Sequence, residues 1–202
     1  MDRSASSLAT AFDRHAGWLA AACCVLSLIG FAAALPAFSH VQHPPGLLGA
    51  SGVPNAAVFN VLAFVVPGLL ATWVFVRLRE RLPRDAGRMG GLGPWLLAIS
   101  ALAFAAQGVF PLDPMDLDGP VSQRHATSWL LWWLAFVPGA LLLALGLRGQ
   151  PGRARAAMAF LVAGVLVVAL NLLPTAWIPG PVAQRVIVLV WLGCVVLASR
   201  LR

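Results

Sequence analysis

Six apolar stretches, each close to 20 residues long, run through the sequence and constrain its fold more than any other feature. A hydrocarbon layer about 30 Å thick takes roughly 20 helical residues to cross, and a backbone amide left unpaired inside it is too costly to leave outside a helix. The stretches cover 16–35, 56–78, 92–110, 128–147, 156–173 and 181–199. Hydrophobic residues make up 60% of the 202 and charged residues 10%, which is foreign to a soluble domain. The expected fold class is all-α: a polytopic membrane protein of six transmembrane helices in a compact bundle. It forms one integral membrane domain over 1–202, with 1–15 as a cytoplasmic N-terminal segment.

Breakers fall at the ends of these stretches. Pro36, Pro111 and Pro174 follow the first, third and fifth, where a missing N–H and a ring clash stop a helix. Pro54, Pro94 and Pro181 lie near starts, where the absent N–H does no harm. The second and fourth stretches share a pattern, Leu62 to Gly68 resembling Leu134 to Gly139, and each places Pro-Gly in mid-span where a kink is expected. Chance remains an alternative source of this likeness.

The net charge of +7 comes from arginine alone, there being no lysine among the 14 basic residues. Twelve of the fourteen fall on one side of the six-span frame, leaving Arg124 and Arg185 opposite. Positive charge collects in cytoplasmic connections, so both termini are expected in the cytoplasm and nucleic acid is not an expected partner. Trp18, Trp73 and Trp95 lie toward the arginine side and Trp129, Trp132, Trp133 and Trp177 toward the other, with Trp191 deeper. Residues 1–14 read as a surface helix or as disorder. Arg14 and the Ala32-Ala33-Ala34 ending of the first stretch also suit a cleaved signal peptide, although its length and Pro36 favour a retained span.

Polar groups in a membrane helix are expensive and tend to face a cavity or a partner. Here Asn60, Gln107, Asn171, Gln184 and Arg185 all fall near the outer ends of spans, beneath loops carrying His40, His43, Asp113, Asp116, Asp118, Arg124 and His125. These residues predict a polar bowl open to the extracytoplasmic face, lined by Asn60, Gln107, Asp113, His125 and Asn171. Asp113 and His125 are the candidate catalytic pair for hydrolysis of a lipid ester, amide or phosphate. Asn60, Gln107, Asn171 and Arg124 are the candidate ligand-binding groups.

Metal ligation is left open, with His40, His43 and Asp116 as candidates; Pro44-Pro45 implies an extended loop that fixes no geometry for the histidine pair. No cofactor is assigned, since no span interior carries the histidines a haem would need. Cys23, Cys24 and Cys194 lie in apolar stretches and read as small buried hydrophobes, while Glu80 and Asp85 read as exposed ion pairs among arginines.

Asn55-Ala56-Ala57-Val58-Phe59-Asn60, the mid-span Pro67-Gly68, and Phe110-Pro111-Leu112-Asp113-Pro114 followed by Gly119 and His125 resemble a bacterial family of six-span membrane proteins, domain of unknown function 998. The resemblance implies the six-span architecture and a shared outer-face set of Asn60, Asp113 and His125. It implies no activity. The expected location is the bacterial inner membrane, multi-pass. The expected function is recognition of a lipid headgroup or small polar ligand in the bowl, with hydrolysis as an extension. Its alternatives are a small transporter or proton-coupled carrier, and an accessory subunit of a membrane complex. Membrane lipids are the expected partners, with homo- or hetero-oligomers formed through small-residue faces such as 30–34 or 101–106.

Overall fold

The computed structural model describes residues 3–82 and 87–201, with side chains from 12–82 and 91–201. Arg84, Asp85 and Arg202 lie outside the described residues, as do the side chains of Arg3, Leu8 and Arg88. Among the described residues seven α-helices follow in order: α1 Arg3–Ala34, α2 Ala56–Asn60, α3 Val66–Arg81, α4 Gly87–Val109, α5 Pro120–Arg148, α6 Ala154–Leu172 and α7 Gly180–Arg200. A 3₁₀ turn, Pro45–Gly49, fills the first loop, and a π segment, Val61–Val65, joins α2 to α3. No strand occurs among the described residues. The helices provide six segments long and apolar enough to cross a membrane: Phe12–Ala34, Ala56–Arg81, Gly91–Val109, Pro120–Arg148, Ala154–Leu172 and Gly180–Arg200.

Two boundaries differ from the sequence reading. The first span begins at Phe12 within one continuous helix, so Asp13 is carried into the span and the tail from Arg3 is helical. The fourth begins at Pro120, eight residues before the apolar stretch, which puts Arg124 and His125 on α5 instead of in a loop. Gly119 is its N-cap and Pro120 occupies the first turn, where proline's missing N–H is harmless.

The mid-span proline of the second segment produces a local change of helix type. Val66 N–H pairs with Val61 O, five residues back, and Pro67 has no N–H to offer. The Leu62 carbonyl therefore has neither its α nor its π donor. Cys23 on α1 fills the gap, its thiol donating to Leu62 O at 3.0 Å. Cys23 is thus more than a packing residue. Pro138 leaves α5 continuous.

Both Pro-Gly glycines are spent on contact with α4. A Cβ at Gly68 would lie 2.7 Å from Ala105 N and 2.8 Å from Ala101 O. At the other flank, a Cβ on Gly93 would meet Leu143 N at 2.7 Å and Gly139 O at 2.9 Å, and one on Gly139 would meet Leu97 N at 3.0 Å. Backbones this close leave no room for side chains, and small residues are how membrane helices gain such contact. Ala101 and Ala105 are consumed inside the bundle in this way, whereas Gly30, Ala33 and Ala34 stay exposed on α1.

An aromatic chain fills the centre. Phe31, Phe59, Phe64, Phe104 and Trp191 follow one another with ring centroids 4.3 to 5.8 Å apart, and Trp132 packs on Phe104 and Trp191. Trp132 is wholly buried, which corrects its expected interfacial place, and Trp191 is buried as its depth in the sequence implied. Trp18, Trp73 and Trp95 are about half exposed at the arginine-rich end.

Replacing Gly93 with Val should lower stability by about 2 kcal/mol or more, since the added carbons meet backbone that cannot swing aside. Gly30→Val, at a position with open space, should change it little. Unfolding of both variants in detergent, followed by tryptophan fluorescence, checks the contrast.

Candidate functional site

At the loop end, the 3₁₀ turn sits on the bundle as a plug, and the amides predicted to floor a bowl are what hold it. Asn60 Nδ2 donates to Gly49 O at 2.8 Å. Its Oδ1 lies so close that a Cβ on Gly49 would fall 1.8 Å away, so only glycine fits there. His125, at the start of α5, reaches under the same turn. Its Nδ1 lies 2.9 Å from Phe110 O and 3.2 Å from Gln107 O, two acceptors that fix the proton on Nδ1. Its Nε2 faces Gly46, where a Cβ would approach to 2.9 Å. A backbone bond from Ser51 N–H to Leu112 O at 2.8 Å ties the plug to the neighbouring loop.

The structure thus brings Asn60, Gln107 and His125 to the plug but joins neither Asp113 nor Asn171 to them by any hydrogen bond. Asp113 Oδ1 accepts Met115 N–H at 3.0 Å in a local turn, and its own N–H bonds Ser122 Oγ at 3.1 Å. Among the described residues no hydrogen bond links Asp113 to His125, the catalytic pair expected from the sequence. Asn171 donates to Val167 O at 2.8 Å on its own helix. Arg124 is exposed, and its carbonyl accepts Ser128 Oγ. Gln107 is 1% exposed, with Nε2 lacking a hydrogen-bond partner. Ser122, which was not anticipated, organises the acidic loop: its buried hydroxyl is also 2.8 Å from Asp116 O and 3.0 Å from Asp113 O.

Of the metal candidates, His40 and His43 both pack on Phe38, with ring centroids 5.5 Å from it, and among the described residues no hydrogen bond joins Asp116 to either. His43 Nδ1 accepts Ser39 N–H at 3.0 Å, His40 Nδ1 accepts Arg185 Nε at 3.2 Å, and Asp116 closes the turn to Gly119. Among the described residues no group of three or more His, Cys, Asp or Glu side chains gathers to hold a metal ion.

Beside the plug, between α1 and α7, an apolar cavity of about 220 Å³ opens past Ile29 and Leu189, both more than half exposed. Leu28, Phe59, Phe64 and Val188 line its depth and His40 and Arg185 its outer end. Arg185 is held over it by three bonds: Nε to His40, and Nη1 to His43 O at 3.0 Å and to Pro181 O at 2.8 Å. Phe38 lies beneath the guanidinium, 5.7 Å from its carbon to the ring centroid. Nη2 is buried and has no partner.

A second polar assembly sits at the arginine-rich end. Asp13, 4% exposed, accepts Trp73 Nε1 at 2.7 Å, Arg77 Nε at 3.1 Å and Arg81 Nη2. Arg77 also pairs with the exposed Glu80, as its setting among arginines implied. Asp13→Ala should strand three donors and lower stability by about 2 kcal/mol, charge-assisted bonds being worth that order. Glu80→Ala should cost about 0.5 kcal/mol or less as an exposed pair. Paired unfolding curves in detergent measure the difference.

No curated protein and no solved structure matches the chain. The family described as "Protein of unknown function (DUF998)" matches residues 18–201, all six candidate spans in whole or in large part. The chain is accordingly a six-span membrane protein and belongs to the DUF998 family.

Proposed function

We propose that this protein binds a single-chain anionic amphiphile of the membrane, with its hydrocarbon chain in the cavity between α1 and α7 and its headgroup on Arg185. The observation that carries this reading is a guanidinium with one buried, unpartnered nitrogen at the mouth of an otherwise apolar cavity. A buried donor without an acceptor is costly, and a carboxylate or phosphate supplies one. The cavity volume of about 220 Å³ exceeds the roughly 150 Å³ apolar cavity that accepts benzene. That suits part of one chain. Ile29 and Leu189 at the rim give a lateral entry from lipid.

This reading takes the membrane as the bacterial inner membrane, with the arginine-rich end cytoplasmic and the cavity in the outer leaflet. It replaces the polar bowl with an apolar slot under one cation and keeps lipid recognition as the function. Hydrolysis is not part of it: His125 spends Nδ1 on two carbonyls and turns Nε2 to Gly46, and Asp113 is occupied in its own turn.

Fluorescent palmitate should bind the delipidated protein, and Arg185→Gln should weaken it about tenfold, the scale of one charge-assisted bond. The equivalent fatty alcohol should bind more weakly and be indifferent to the substitution. Equal palmitate affinity in both proteins would overturn the assignment.

A further inference from the structure

The opposite end of the same α1/α7 seam holds a larger and chemically different opening, a cleft of about 690 Å³. Asp13, Arg14 and Trp18 of α1, Arg77 and Arg81 of α3, and Arg200 of α7 line it. Gly17 makes this grouping possible. A Cβ there would lie 2.8 Å from Ser199 Oγ and 2.9 Å from Val195 O, so α1 and α7 touch closely enough to set Arg14 and Trp18 beside Arg200.

Four guanidinium groups face one carboxylate, and that carboxylate is already shared by Trp73, Arg77 and Arg81. Among the described residues the Arg14 side chain has no hydrogen-bond acceptor. Among the described residues Arg200 has only the Trp18 ring, 5.3 Å from its guanidinium carbon to the centroid. Like charges lining one cleft raise a positive potential there that an anion relieves. Arginine's planar fork matches phosphate oxygens better than any other side chain. The lining residues stand at the ends of the spans Phe12–Ala34, Ala56–Arg81 and Gly180–Arg200, and Trp18 is half exposed, so the cleft is at headgroup depth.

We infer that this cleft is a phosphate-binding site whose ligand is the headgroup of an anionic phospholipid in the adjoining leaflet, held by Arg14 and Arg200 with Arg81 behind them. It does not depend on the palmitate site: the two lie at opposite ends of the seam and share no lining residue.

The test is native mass spectrometry of the full chain, delipidated and then offered phosphatidylglycerol or phosphatidylcholine. Wild type should retain phosphatidylglycerol about tenfold over phosphatidylcholine, and the double variant Arg14→Gln, Arg200→Gln should lose about that preference. The matching double lysine variant should keep part of it. Arg148→Gln, which removes a charge from the same end outside the cleft, should behave as wild type. Millimolar inorganic phosphate distinguishes the sources: phosphatidylglycerol that stays bound marks a lipid site, and displacement marks one that takes free phosphate. Equal retention of the two lipids, or an unchanged preference in the glutamine variant while its unfolding temperature matches wild type, would overturn the inference.

Discussion

The Asp13 carboxylate fixes where α1 stands, and the cavity and the cleft along the α1/α7 seam depend on where α1 stands. A carboxylate 4% exposed at the edge of a membrane is tolerable only when its charge is met, and Trp73, Arg77 and Arg81 on successive turns of α3 meet it. The same helix contributes Leu28 and Ile29 to the cavity at one end and Arg14 and Trp18 to the cleft at the other. Hydrophobic packing alone would let α1 slide along its neighbours, since lipid is as apolar as the groove. An ion pair with defined geometry sets the register.

A second restraint acts halfway along α1. Pro67 deprives Leu62 of its backbone donor, and the Cys23 thiol takes that place at 3.0 Å. A thiol is a weak donor, yet in hydrocarbon an orphaned carbonyl has no water to turn to. The π segment and the proline therefore work with α1, while Gly68, one residue on, works with α4. One Pro-Gly pair thus faces two neighbours. In α5 the glycine of the corresponding pair also faces α4, Gly139 lying against Leu97 and Gly93, and the helix stays regular in type.

The architecture was legible because each constraint that sets it is local. Apolar length, terminal prolines and arginine placement are all properties of short windows. The π segment was foreshadowed by Pro67 as a kink, though its type depends on a thiol 39 residues away. The site was only half legible. Asn60, Gln107 and His125 were picked out as polar groups in costly places, and they do gather, but their bonds go to backbone carbonyls of the plug and adjoining loop, a structural use that side-chain chemistry does not announce. Asp13 is not legible in the sequence because its partners are 60 to 68 residues distant, and a lone acid near an N-terminus looks like a solvated one. Arg185 reads in the sequence as one of the polar groups at the outer ends of spans; the apolar cavity beneath it is made by four separate helices and leaves no trace in any one of them.

The two ends of the α1/α7 seam differ in a way that follows from where water reaches. At the arginine-rich end, four cations stand around an opening wide enough for solvent: Asp13 accepts from Arg77 and Arg81, and solvent damps the repulsion between these and the remaining pair, Arg14 and Arg200. At the loop end, Arg185 is alone, and His40, the His43 carbonyl and the Pro181 carbonyl account for its Nε and Nη1 but not for Nη2. A solitary cation against an apolar wall has its unmet donor unscreened, so an anion arriving there gains more per contact than one arriving among many arginines. The narrow end should consequently discriminate sharply by headgroup charge and chain number, and the broad end by phosphate content with tolerance for what the phosphate carries. One pair of helices, held in register by one buried acid, can present both selectivities because the seam is pinched shut between them at Gly17.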